Sequence, residues 1–182
     1  MKIAVIGGGA AGLIAAGCAK GAAVTIFDHS EKVGKKIYIT GKGRCNFTNV
    51  CDNQTFLQNV VRSAPFLRSA LSKFTPYDAV ELLEKNGCKT KVERGRRAFP
   101  SSDKASDVIK ALSKFAENNN VEIKLNTNIT DIVSTPDGYT VCTTDGNRNF
   151  DRVIICTGGM SYPQTGSDGS AFDIIKRLGH TV

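Results

Sequence analysis

Three glycines, Gly7, Gly9 and Gly12, stand in the spacing GxGxxG within Gly7-Gly8-Gly9-Ala10-Ala11-Gly12. Asp28 follows at close to the interval of about 20 residues that separates such a turn from a ribose-binding carboxylate. The three glycines would serve different ends. Gly7 permits a tight turn, Gly9 lets the backbone approach a pyrophosphate, and Gly12 lets a helix pack closely on a sheet. Ala10, Ala11 and Gly12 would open a helix whose unpaired N–H groups and macrodipole favour negative charge. Asp28 can accept hydrogen bonds from ribose hydroxyls, and its charge disfavours a 2′-phosphate.

A glycine triplet alone is a weak sign, and its context strengthens it. Lys2 to Ile6 (KIAVI) is a short continuous apolar run of the kind buried on both faces of a parallel sheet. Ala10 to Lys20 is alanine-rich, lacks proline and stops at Gly21, which predicts a helix. Val24 to Phe27 predicts a second strand, so the chain starts as a right-handed strand–helix–strand crossover. The predicted class is α/β.

Glu31 to Asn53 reads as a long loop with room for one helical turn, and loops of that length are usually functional. Helices are predicted over Gln54 to Phe74, over Pro76 to Asn86, and over Ser102 to Asn118, where Ala105, Val108, Ile109, Leu112, Phe115 and Ala116 recur at helical spacing. Cys88 to Val92 and Val121 to Leu125 read as strands. Ile129 to Ser134, Tyr139 to Thr143 and Asn147 to Asp151 predict a meander, turning at Pro136-Asp137-Gly138 and Asp145-Gly146. Arg152 to Cys156 returns to a buried strand, and a last helix is predicted over Gly169 to Leu178. An NAD domain usually continues as alternating strands and helices, whereas a meander inserted before the returning strand favours FAD.

The chain has 182 residues, 41% hydrophobic and 23% charged, the balance of an ordinary globular protein and enough for one domain over 1–182. No apolar run approaches the roughly 20 residues that span a bilayer, and the start lacks the layout of a secretory signal, so a cytoplasmic protein without membrane association is expected. No Cys/His cluster has the spacing of a zinc site, and no metal is expected. The 24 Lys+Arg against 17 Asp+Glu give a formal charge of +7, gathered over Lys32 to Arg44 and Lys89 to Arg97. A solvated basic surface or attraction of cofactor phosphates accounts for it, and without a helix-turn-helix, zinc finger or aromatic RNA-binding signature no nucleic-acid partner is expected.

Three further stretches resemble one family. Thr40-Gly41-Lys42-Gly43-Arg44-Cys45-Asn46-Phe47-Thr48-Asn49, Gly95-Arg96-Arg97-Ala98-Phe99-Pro100 running on to Val108, and Thr157-Gly158-Gly159-Met160-Ser161-Tyr162-Pro163-Gln164-Thr165-Gly166 running on to Gly169 are similar to signature segments of bacterial FAD-dependent oxidoreductases of the aminoacetone-oxidase-like and bile-acid-reductase-like kind. The resemblance runs from Met1 to about Val182. It implies a glutathione-reductase-type FAD fold: a Rossmann-like domain with a central parallel sheet, a β-meander and helices on both faces. It also implies Gly7, Gly9, Ala10, Ala11 and Gly12 at the pyrophosphate and Asp28 at the adenosine ribose. Lys36, Thr40, Gly41, Arg44, Cys45 and Asn46 would approach the flavin, Ile129 would offer backbone bonds to adenine, and Thr157, Gly158 and Gly159 would run beside the cofactor. Family members continue into a substrate-side domain and a C-terminal return segment, so this chain is expected to correspond to their N-terminal portion.

The function expected from the resemblance is a flavoprotein oxidoreductase acting on a small-molecule substrate, with NAD(P)H a candidate electron partner. A non-catalytic FAD-binding fragment and an NAD-binding module are the alternatives. Cys45 and Cys51 admit two readings, a redox pair beside the flavin or two unrelated thiols, with five residues between them where flavin disulfide reductases have four. Cys18, Cys88, Cys142 and Cys156 sit among apolar neighbours and read as buried small hydrophobes. Arg96, Arg97 and Lys104 suit either an anionic substrate, an NADPH phosphate, or a solvated loop.

Overall fold

The computed structural model describes residues 1–182, apart from the side chain of Thr165. In chain order the elements are β1 (Lys2–Ile6), α1 (Ala10–Cys18), β2 (Ala23–Phe27), α2 (Lys35–Ile39), β3 (Thr48–Asn49), α3 (Asn53–Gln58), α4 (Ala64–Leu71), α5 (Pro76–Lys85), β4 (Thr90–Glu93), β5 (Arg97–Pro100), α6 (Ala105–Glu117), β6 (Glu122–Lys124), β7 (Ile129–Thr135), β8 (Gly138–Thr143), β9 (Gly146–Phe150), β10 (Arg152–Ile155) and α7 (Phe172–Arg177). The chain divides into two compact units, one of residues Met1–Lys36 with Leu112–Val182, the other of Ile37–Ala111.

The first unit is built on a four-stranded parallel sheet in the order β10-β1-β2-β6. β1 is central and shows the apolar run expected of a strand covered on both faces: Ala4 and Val5 are completely buried and Ile3 and Ile6 nearly so. Side chains alternate across it. Ala4 and Ile6, with Phe27 of β2, join a core with Ile132, Val141 and Phe150 of the meander β7-β8-β9 and Ile174 of α7. There the Phe27 and Phe150 rings meet edge to face with centroids 5.8 Å apart, a geometry worth about 0.5–1.5 kcal/mol beyond area burial.

Val5 points the other way, toward α1, where a Cβ on Gly12 would lie 3.3 Å from its side chain. Gly17, one turn further along α1, sits beneath the Phe115 ring of α6, leaving no room for a larger residue. Helices therefore cover both faces, α1 and the end of α6 on one and α7 beside the meander on the other. The α/β class with a parallel sheet and an antiparallel meander is the one expected.

Burial along α1 falls on Gly12, Leu13, Ala16 and Gly17, which leaves Cys18 on the solvent side. That corrects the expectation of a buried Cys18. Cys88 is buried as expected, while Cys142 and Cys156 are only half-buried.

The second unit has a three-stranded sheet in the order β3-β5-β4, antiparallel throughout. The single helix expected over 54–74 is two helices, α3 and α4, because Ser63 takes a left-handed backbone (φ 54) and Pro65 starts a new helix. Helix α5 begins with a capping box in which Thr75 and Asp78 satisfy each other's backbone N–H. β5 was not expected; it forms a hairpin with β4 through Arg94–Arg96, where Gly95 and Arg96 both have positive φ.

Candidate cofactor site

The glycine turn lies between β1 and α1 and is fixed from three sides. Gly7 donates its N–H to the Phe27 carbonyl at 2.8 Å, and Asp28 donates its own to the Lys124 carbonyl at 2.9 Å. A Cβ on Gly7 would sit 2.5 Å from the Cys156 carbonyl oxygen, and Gly7 also has φ 106, so only glycine serves there. A Cβ on Gly12 would come within 1.8 Å of the Gly7 carbonyl oxygen. Gly9 is the exception: nothing lies within 4 Å of where its Cβ would be.

Gly9 caps α1 with extended backbone and no side-chain cap, and no acidic residue stands in the first turn. The N–H groups of Ala10, Ala11 and Gly12 have no partner inside the helix and no side-chain cap, and the space where a Cβ of Gly9 would stand is open, as an anion at a helix N-terminus requires. A pyrophosphate fits this cradle.

Asp28 is tied into the turn. One carboxylate oxygen accepts the Gly8 N–H at 2.6 Å and the other the Ser30 N–H at 2.8 Å. A carboxylate has about four lone-pair sites, so acceptor capacity remains for ribose hydroxyls. The Asp28–Gly8 bond, which no sequence signal announced, explains how one acid both shapes the turn and stands at its edge. Gly8 is further enclosed, since a Cβ there would lie 2.8 Å from Val33.

After β10, Thr157 passes the turn, its Cα 3.2 Å from the Cβ position of Gly7. Gly158 (φ 80) leaves space for the buried Ser167, and Gly166 (φ 89) for the His29 ring, so the stretch 157–169 folds back onto Asp28-His29-Ser30. Lys36 donates its Nζ hydrogen to the Ser161 carbonyl at 3.1 Å, joining that stretch. Ile129 opens β7 at an irregularity in the register, and its side chain packs against the core. The structure thus gathers Gly7, Gly9, Ala10, Ala11, Gly12, Asp28, Thr157 and Gly158 around one turn.

Thr40, Gly41, Arg44, Cys45 and Asn46 belong to the second unit, where they form a loop closed on itself. The Cys45 N–H bonds the Thr40 carbonyl at 2.9 Å and the Arg44 N–H the Gly41 carbonyl at 3.2 Å. Gly41, Lys42, Gly43 and Cys45 all have positive φ. Both Asn46 amide hydrogens go to backbone, on Thr48 and Ala98.

Arg44 reaches Glu93 and Asp103, lies 4.4 Å over the Phe99 ring, and shares Asp103 with Lys91 at 2.6 Å. Hydrogen bonds from Lys91 and Arg44 hold the Asp103 carboxyl below its ordinary range, Arg44 does the same for Glu93, and both carboxylates raise the guanidinium of Arg44. This network was not anticipated: Glu93 and Asp103 stand 49 and 59 residues from Arg44, beyond any local signal.

Burial, with the neighbouring Cys88 adding to it, pushes the Cys45 thiol up to about 11. A redox or nucleophilic cysteine needs its thiolate, so Cys45 is not poised as one. Among the described residues no group of His, Cys, Asp and Glu could hold a metal ion, and no helix is long and apolar enough to cross a membrane.

Comparison with known proteins agrees with this geometry. The model of the HI0933-like protein Rossmann domain matches residues 1–182. A 3-dehydro-bile acid delta(4,6)-reductase of Clostridium scindens is 34% identical over all of this chain and 44% of its own length. A ribosomal RNA dihydrouridine synthase of Escherichia coli is 29% identical over 98% of this chain and 44% of its own length. The chain therefore spans under half the length of these curated relatives. A flavocytochrome c3 fumarate reductase in its open conformation superposes with a TM-score of 0.65 at 21% identity, over 99% of this chain and 40% of that one, a likeness of fold. With a family model matched from end to end, the chain belongs to the HI0933-like family, and it is a Rossmann domain of the FAD-binding, oxidoreductase type.

Proposed function

We propose that this chain holds the ADP half of FAD on its first unit and serves a flavoprotein reductase that saturates a carbon–carbon double bond conjugated to a carbonyl. The open space at Gly9, before the uncapped start of α1 and beside Asp28, carries the cofactor assignment. The N–H groups of Ala10, Ala11 and Gly12 bind the pyrophosphate, which the helix end stabilises by about 0.3–1 kcal/mol and by up to about 2 where partly buried. Asp28 takes the ribose hydroxyls, the backbone at Ile129 the adenine, and Thr157, Gly158 and Gly159 flank the cofactor. Lys36, Thr40, Gly41 and Cys45 serve the flavin end. Arg44 spends its guanidinium on Glu93 and Asp103 and Asn46 both amide hydrogens on backbone carbonyls, and we assign these two the shaping of that loop rather than direct contact.

FAD when bound supplies a ring that gives or takes a hydride, while the protein supplies position and electrostatics. The substrate class rests on the relatives' names. One reduces delta(4,6) double bonds of a 3-dehydro-bile acid, and the other makes dihydrouridine, the reduced form of uridine. Both names fit reduction of a carbon–carbon double bond, and we propose that the flavin adds a hydride there. Since the chain spans 44% of these relatives, the whole protein's substrate and partners are part of the proposal. NAD(P)H is the proposed electron source, and residues 1–182 are proposed to act together as the FAD-binding portion.

The test is the visible spectrum of the FAD-loaded protein, reduced without oxygen and then offered a steroid dienone or a uridine-containing ribosomal RNA fragment. Return of the oxidised flavin bands with either acceptor supports the reading. The RNA arm also tests the expectation of a small-molecule substrate. Reduced bands unchanged by both acceptors would exclude the reductase assignment.

A further inference from the structure

Within the second unit lies a cavity of about 660 Å³, bordered by the loop after β3, by α3 and by the β4–β5 turn. Its volume is in the range that holds small organic ligands, about 300–1,000 Å³. Neither the glycine-turn residues nor Lys36, Thr40, Gly41 and Cys45, proposed for the flavin end, line it. Phe56 and Val60 give it an apolar wall. Asn49, Asn59 and Arg96 supply the polar part.

Three features of that lining define what fits. First, Arg96 has no side-chain hydrogen bond or ion pair among the described residues, whereas Arg44 of the 40–46 loop and Lys91 of β4 are neutralised by Glu93 and Asp103. No acidic residue lines the cavity, and the closest in sequence, Asp52, is engaged by the Thr55 backbone and hydroxyl at 2.8 Å. Arg96 is exposed and hydrated, and beside the apolar wall its guanidinium fork offers a carboxylate a bidentate partner that no residue of the lining takes up.

Second, the donors are few. Asn49 gives an amide hydrogen to the Gly95 carbonyl at 2.7 Å and Asn59 one to the Thr55 carbonyl at 2.9 Å, so their side-chain carbonyl oxygens remain as acceptors. A carboxylate's two oxygens are matched by one guanidinium fork, whereas a phosphate would leave further charged oxygens with no second cation in the lining. Third, Arg96 is held at φ 58 in the turn between β4 and β5, a conformation unusual for a residue other than glycine. The fold bears that strain at the lining residue that brings positive charge to the cavity.

We propose that this cavity binds an amphipathic organic monoacid, its carboxylate on Arg96, its apolar skeleton along Phe56 and Val60, and a hydroxyl on Asn49 or Asn59. The site does not depend on flavin, and its failure would leave the FAD assignment intact.

The test uses ω-hydroxydodecanoate as probe, with the diol of the same chain length and dodecyl phosphate as comparisons, followed by calorimetry and by backbone amide shifts of the whole chain. Arg96→Gly is the informative variant, because glycine accepts the local φ and removal of the charge leaves the turn unstrained. Shifts confined to α3 and 94–96, carboxylate bound at least tenfold more tightly than diol, and a loss of that preference in Arg96→Gly with Phe56→Ala weakening both ligands would support the site. Equal binding of carboxylate and diol, tighter binding of the phosphate, or unchanged binding by Arg96→Gly would overturn it.

Discussion

The glycine turn at residues 7–12 and the loop at 40–46 both bend through positive-φ backbone, yet they are stabilised by opposite means. The turn is held by close backbone approach and one carboxylate, and its helix end keeps its N–H groups unspent. The 40–46 loop spends its polar groups on itself and on Glu93, Asp103 and Ala98. A site built to bind an anion leaves donors free in front of open space. A loop built to hold a shape leaves few.

The sharpest way to break this comparison is to add a methyl at two glycines of the turn. In Gly12→Ala the new Cβ would meet the Gly7 carbonyl, and the loss of stability should be about 3 kcal/mol or more, at roughly 2–4 °C of midpoint per kcal/mol for a chain this size. In Gly9→Ala the methyl enters open space on ordinary backbone (φ −80), so stability should stay within about 0.5 kcal/mol while FAD affinity falls at least about tenfold. Thermal unfolding and flavin titration of the two variants check both.

Asp28→Asn comes next. It keeps one acceptor oxygen for Gly8 or Ser30 and loses the charge that strengthens both bonds, at a cost of about 1–2 kcal/mol by denaturant titration. FAD affinity should fall with it.

On the other side of the comparison, the Asp103 and Glu93 carboxyls lie below their unfolded values because Lys91 and Arg44 donate to them. The stability they contribute is complete above the ordinary carboxylate range and is lost as pH falls through the depressed folded values, below about pH 4. Arg44→Met should therefore lower the neutral midpoint modestly, since the network is partly exposed, and should remove the same amount from the fall in acid, so that variant and wild type converge at low pH. An acid profile parallel to the wild type would show that Arg44 does not carry the loop. The smallest effect is chemical: at pH 8 exposed Cys18 should be alkylated well before buried Cys45, whose thiol is pushed up to about 11.

The first unit was legible in the sequence because its signals are local. Gly7, Gly9, Gly12 and Asp28 stand at fixed spacing, and Asp137-Gly138 and Asp145-Gly146 mark the meander's turns. The second unit was less so. Pro65 carried a readable warning against one helix over 54–74, and Thr75 with Asp78 a readable capping box. β5, with Arg97 beginning it after a charged turn, looked like loop because its partners are set by a hairpin with an irregular turn. The Arg44 network had no local signal at all, since only the folded chain brings Glu93 of β4 and Asp103, just before α6, to it.

The central claim, that unspent donors at the glycine turn hold FAD, is tested most directly by one paired spectrum. Wild type and Gly9→Ala are mixed with FAD, freed of unbound flavin by gel filtration, and compared by flavin absorbance per chain at matched unfolding midpoints. Flavin bands in the wild type and their loss in Gly9→Ala are the predicted result. Equal flavin retained by both would contradict it.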